Sequence, residues 1–193
     1  AFSEVVTDFT KADLTVEGGT ITDVTTTDNQ NFTATFTATD DSTTDGKVTV
    51  KADSYTDAAG NLGATGNDTI TIDTKNPAVT VNIVDGSLSD SDNSSEVTFE
   101  FSEAVTDFAE ADLTVVGGAI SSFTKVDDDS YKATFTADDD STTAGAVTVK
   151  ANSYTDVAGN SGALGCDTVT VDTTNPTVTV SLPIAPELPA TSV

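Results

Sequence analysis

Phe101-Ser102-Glu103-Ala104-Val105-Thr106-Asp107-Phe108 rewrites, 99 positions later, the opening Phe2-Ser3-Glu4-Val5-Val6-Thr7-Asp8-Phe9. The same spacing links Ser54-Tyr55-Thr56-Asp57 to Ser153-Tyr154-Thr155-Asp156. It also links Asp73-Thr74 and Asn76-Pro77 to Asp172-Thr173 and Asn175-Pro176. No insertion or deletion separates the copies, so one structural unit is written twice. A tandem of like units points to a spacer, a fibre or a multivalent binder and away from an enzyme.

The alternation within each unit gives the fold class. Thr and Val dominate, helix signals are absent, and short period-two runs are bounded by Gly, Asp and Asn. One complete unit runs over residues 76–174. Strand A is expected at Ala78–Val84, with Val79, Val81 and Ile83 on one face, and strand B at Glu96–Phe101, with Val97, Phe99 and Phe101 inward. Strand C follows at Ala111–Val116, D at Ala119–Val126 and E at Ser130–Ala137. Strand F is expected at Ala146–Tyr154, with Val147, Val149 and Ala151 alternating, and G at Asp167–Asp172. About seven short strands in a unit of this size read as an immunoglobulin-like β-sandwich, so the chain is all-β, with tandem sandwiches in line.

Composition narrows the function. The 193 residues carry 32 acids against 7 lysines and no arginine, a formal charge of −25. Nucleic acid needs a basic footprint, and anionic membrane surfaces repel such a chain. A cation suits it better. There is no histidine, which removes the usual general base and the commonest transition-metal ligand. No Ser-centred nucleophile motif or phosphate-cradling Gly loop is present, so no catalytic residue is assigned. Cys166 is the only cysteine and stands where the first copy has Asn67; it reads as a partly buried structural thiol. No apolar run reaches the ~20 residues of a membrane span. The chain does not begin with Met, and it reads as a processed protein or a part of a longer one. Sequons at Asn31, Asn67 and Asn93 are expected by chance in Thr-rich sequence.

Four stretches together carry a family resemblance: residues 101–108 quoted above, Ala111-Asp112-Leu113-Thr114-Val115, Tyr154-Thr155-Asp156-Val157-Ala158-Gly159-Asn160, and Asp172-Thr173-Thr174-Asn175-Pro176. They resemble the bacterial immunoglobulin-like repeats of large secreted surface adhesins of the RTX type. The resemblance covers almost the whole chain. It implies extracellular extender modules stacked head to tail, often stiffened by calcium at the junctions. The Gly-Gly-x-Gly-x-Asp calcium nonapeptide of RTX termini is absent, as is a distinct ligand-binding domain.

In a seven-strand sandwich the B–C, D–E and F–G loops share one pole with the entering linker. That pole gathers Glu103 and Asp107, Asp127–Asp129, and Asp156 with Asn160, while the linker brings Asp73 and Asn76. The first copy offers Glu4, Asp8, Asp57 and Asn61, and the outgoing linker offers Asp172 and Asn175. Carboxylates and amides without His or thiolate make a hard oxygen site, suited to Ca²⁺. The competing reading is a solvated acidic surface that keeps strand edges from aggregating. A second acidic run, Asp90-Ser91-Asp92-Asn93, lies at the opposite pole and lacks the Gly and bidentate Glu of a calcium loop.

The ends do not match the units. Residues 1–75 form a first repeat without strand A and most of strand B. Residues 175–193 form an unmatched strand A, Asn175–Leu182, followed by the Pro-rich run Pro183–Pro189. Two arrangements explain this: one period of a longer tandem array, or subunits that hand a strand to the next molecule. The leading expectation is a structural extender of an extracellular or surface-attached bacterial adhesin or fibre, its partners being adjacent repeats. The alternatives are a self-assembling filament subunit joined by donor-strand exchange, and a carbohydrate- or protein-binding module. The distal ligand is not legible.

Overall fold

The computed structural model describes residues 1–182. The second repeat is a two-layer sandwich. Strands A (Val79–Ile83), B (Ser94–Phe101), E (Ser130–Ala137) and D (Gly118–Lys125) form one antiparallel sheet in the order A–B–E–D. The facing sheet contains G (Gly165–Asp172), F (Gly145–Val149) and C (Leu113–Val116) in the order G–F–C. Register follows the alternation, with Val81 opposite Phe99 and Phe99 opposite Tyr131. Val97, Phe99, Phe135, Val147 and Val149 are fully buried between the layers. Each buries side-chain area worth roughly 1.5–3 kcal/mol.

Three local features depart from the sequence reading. A further strand, Ser87–Ser89, pairs in parallel with G and buries Leu88. The chain reaches it by a crossing at Val84–Gly86, where Asp85 N–H donates to the buried Ser95 hydroxyl at 3.0 Å. One segment thus supplies an outer strand to each of the two sheets. Strand F ends at Val149, and Ala151 is exposed. Asn152 there adopts φ 59°, a left-handed turn that Asn tolerates, and donates its N–H to Gly162 O. Strand C begins only at Leu113, after a 3₁₀ turn Glu110–Asp112. That turn is held by Ala109 N–H on the Asp112 carboxylate at 2.8 Å.

The first repeat builds the same C–F–G sheet from Leu14–Glu17, Gly46–Val50 and Gly66–Ile70. Its D and E strands are broken into the pairs Gly19–Ile21 with Phe36–Ala38 and Thr25–Thr26 with Phe32–Thr33. No strand of the described residues covers the free edge of Phe32–Ala38, the place that B takes in the second repeat. In the second repeat strand E is paired on both sides, by B and by D. At one pole both repeats tie the same aromatic knot. Phe2 lies 4.9 Å from Phe9 and from Tyr55, ring centre to ring centre. Phe101 repeats both distances with Phe108 and Tyr154.

Candidate metal centre

The site lies where the linker enters the second repeat. The B–C loop carries Glu103, between strand B and the short strand Val105–Thr106, which pairs with Thr155–Asp156. That pairing sets the B–C and F–G loops side by side. Beyond it, a tight turn brings Asn160 back onto Asp156. The Asn160 backbone N–H donates to Asp156 Oδ1 at 2.8 Å, and its side-chain amide donates to Oδ2 at 2.7 Å. The turn needs Gly159 at φ 94°, a backbone that a Cβ would strain.

Asn160 also reaches the linker. Its amide donates to Asp73 O at 3.2 Å and meets Asp73 Oδ1 at 3.4 Å. Asp73, Glu103 and Asp156 each offer a carboxylate oxygen to one spot, all within 4.8 Å of one another. No other such group of three occurs among the described residues. Asp156 is buried, Glu103 half-buried.

The electrostatics separate the two loop acids. Burial, then the Asp73 and Asp156 charges, raise the Glu103 pKa, with Lys75 opposing weakly. Burial also pushes Asp156 upward, but the hydrogen bonds from Asn160, Gly159 and Ala158 outweigh it and leave its pKa lowered. A fixed anion beside a carboxyl that resists ionisation is a repulsion that a cation relieves. The donor set is oxygen throughout, which fits a hard cation of the calcium type.

The linker is held from both sides. Thr74 N–H donates to Ser42 O and Thr74 Oγ1 to Thr39 O at 2.7 Å, both in the first repeat. Asp73 takes the Asn160 amide, and Pro77 O accepts Ala163 N–H at 2.9 Å and Tyr154 Oη–H at 3.3 Å, all in the second. Ser102 N–H then donates to Ala78 O, and Ala78 N–H donates to Ser102 Oγ. Tyr154 is the member of this joint that sequence reasoning passed over. Its recurrence in both Ser-Tyr-Thr-Asp copies was the available signal. Its one hydroxyl proton is shared between Pro77 O and the nearer Ala163 O, at 2.9 Å, and burial pushes its pKa up to about 12.

The remaining carboxylate candidates do not join this group. Asn76 and Asp107 are exposed, and Asp107 sits at φ 61° in a turn. In the first repeat Asn61 clamps Asp57 as Asn160 clamps Asp156, with the amide at 2.7 Å. The Asn61 amide is the leading cause of a lowered Asp57 pKa. Glu4, Asp57 and Asn61 line a hollow of ≈ 190 Å³ with Tyr55 and Gly63. Asp8 is exposed at φ 61°. Asp172 accepts Thr174 Oγ1–H at 2.7 Å, and Asn175 is exposed. Asp127 binds Ser130 and Asp129 within its own turn. Asp92 closes a turn onto Ser89.

Comparison with known proteins agrees with this architecture. A search of curated proteins found no match. A family model described as bacterial Ig-like domain matches twice, over residues 1–72 and 73–171. Such domains commonly occur in surface or extracellular proteins as structural modules and are typically non-catalytic. With both matches together spanning most of its length, the chain belongs to the bacterial Ig-like domain family.

Proposed function

We propose that the chain is an extender segment of an extracellular bacterial adhesin or surface fibre of the RTX type, and that Ca²⁺ bound by Asp73, Glu103 and Asp156 stiffens its repeat junction. The observation that carries this reading is the convergence of one linker carboxylate and two loop carboxylates within 4.8 Å at a joint anchored to both repeats. An ion held by all three would tie the linker to the second repeat through charge as well as through Asn160. A spacer gains from that, since a stiff joint holds a distal binder farther from the cell than a flexible one does. The high negative charge favours loading wherever the cation is abundant.

The test is the melting temperature, together with the maximum dimension from small-angle scattering, in EDTA and in millimolar Ca²⁺. A ligand that binds only the folded state adds about 2.7 kcal/mol at a hundred times its Kd. Higher melting with Ca²⁺, lost in Glu103→Gln, is the expected result. Equal melting and equal dimension in both buffers would defeat the proposal.

A further inference from the structure

The second repeat takes the chain in at one pole and lets it out at the other. Pro77 enters against the F–G loop, where its carbonyl accepts Ala163 N–H at 2.9 Å. Thr173 leaves against the E–F loop, where its hydroxyl donates to Asp138 O at 2.8 Å and its N–H to Ser141 O at 2.9 Å. Strand F joins those two loops, so its length separates entry from exit. Tension between the two ends therefore runs along the strands and not across them.

Strand A and the Ser87–Ser89 strand receive that tension from the entering side, and strand G receives it from the leaving side. All three run in the same direction. Ser87, Leu88 and Ser89 pair in parallel with Thr170, Val171 and Asp172, and Leu88 is buried. Strand A lies beside the first part of G, with Val79 at Gly165 and Ile83 at Asp167. A Cβ on Gly165 would lie 2.8 Å from Val79 O, and the Asp167 carboxylate accepts Ile83 N–H at 2.8 Å. The crossing between the two segments is tied to strand B, through Val84 N–H to Glu96 O at 3.0 Å and Asp85 N–H to Ser95 Oγ at 3.0 Å. Parallel strands pulled from opposite ends slide past each other. Their hydrogen bonds are evenly spaced along the strands, so sliding loads them together. Parallel strands pulled apart at the same end open one bond at a time.

We propose that these contacts form a mechanical clamp. Asp167 on Ile83, with the pairing of Ser87–Ser89 to Thr170–Asp172, holds the second repeat folded under end-to-end tension. The use of such a clamp rests on the extender reading above, since a segment between a cell and a distal binder carries the tension that the binder transmits. Its mechanics do not depend on the junction cation, because none of its residues belongs to the Asp73, Glu103 and Asp156 group.

Single-molecule pulling of the full chain in EDTA tests this, with the direction of force as the variable. The background is Cys166→Ser, which removes the native thiol, exposed where the sequence reading had it partly buried. Handles are attached through Lys75→Cys with Thr174→Cys, or through Asp90→Cys with Thr174→Cys; all three positions are exposed. The first pair pulls from pole to pole. The second pulls at one pole, since Asp90 follows Ser89 as Thr174 follows Asp172 and its neighbour Thr173. Forced unfolding is governed by the barrier along the pulled direction. At equal loading rate the pole-to-pole force is expected to exceed the one-pole force at least about twofold, because the registered pairs break together and not in turn. Asp167→Ala is expected to lower the pole-to-pole force and leave the one-pole force unchanged, since the bond it removes lies inward of the peeled end. Equal forces in the two directions would overturn the clamp. So would an equal loss in both directions from Asp167→Ala, the mark of a general loss of stability. The melting response to Ca²⁺ is a separate measurement: its absence defeats the junction cation and leaves unequal forces as support for the clamp, while equal forces with a Ca²⁺ response defeat the clamp alone.

Discussion

Gly66 and Gly165 are the same residue in two environments, and alanine at each should behave differently. Both sit at the first position of strand G with a backbone that any residue can adopt. At Gly165 the new Cβ meets the Val79 carbonyl at 2.8 Å, a backbone atom that no rotamer change can move. Strand A must then shift, and with it the pairing of Val79 to Phe101 and Val81 to Phe99. Overpacking of this kind costs about 1–3 kcal/mol. At Gly66 nothing opposes the methyl group, and the loss of unfolded-state freedom makes alanine stabilising by up to ~1 kcal/mol. For a domain of this size each kcal/mol moves the melting point by about 4–8 °C. Far-UV circular dichroism during urea unfolding checks the contrast. Gly165→Ala should lower the midpoint of the second repeat by the order of 1 M with an unchanged slope. Gly66→Ala should leave both midpoints unchanged or raise that of the first repeat. Equal effects at the two positions would show that strand A does not press on the second repeat as described.

Other outcomes follow from the joint and the core. Tyr154→Phe removes the one hydroxyl donor shared by Ala163 O and Pro77 O and should cost about 0.5–1.5 kcal/mol, read from thermal unfolding. Phe135→Ala empties a fully buried position and should cost about 3–5 kcal/mol, whereas Phe36→Ala, beside an open slot, should cost clearly less in the same assay. Glu103 has a raised pKa, so its folded form favours the proton. Without Ca²⁺ its ionisation therefore destabilises as pH rises from the ordinary carboxylate value through its folded pKa, and Glu103→Gln should raise neutral-pH stability in EDTA. Asp156 has the opposite sign. Its contribution is present above the ordinary aspartate value and is lost as pH falls through its lowered folded pKa, so Asp156→Asn should flatten the acid limb of a stability–pH curve.

Most of the sandwich was legible because a buried sheet face imposes alternation and a tandem repeat shows each alternation twice. Strands A, B and G lie where Val, Phe and Ile recur at every second residue, and the residues of B assigned inward, Val97, Phe99 and Phe101, are buried. Misreadings fell where a side chain's partner is distant. Ala151 continued the F alternation on paper, yet Asn152 turns the chain to meet Gly162. Ser87–Ser89 carries no periodic signal, since three residues with one buried Leu are too few to show a period. Of the twelve acidic and amide candidates, composition and loop position alone could not rank one above another. Folding brought Asp73, Glu103 and Asp156 to one point and left the carboxylate of Asp107 outside it.

The repeat spacing, the all-β class, the two-fold duplication and the oxygen-only chemistry are properties of the residues in order, since period and composition need no third dimension. Which acids meet, that Tyr154 locks the linker through Pro77, and that Gly66 faces space where Gly165 faces strand A required the packed chain. Those facts depend on contacts between residues far apart in sequence, such as Asn160 with Asp73 and Asp167 with Ile83. Such pairs form only after the sheets have closed, and local propensity carries no trace of them.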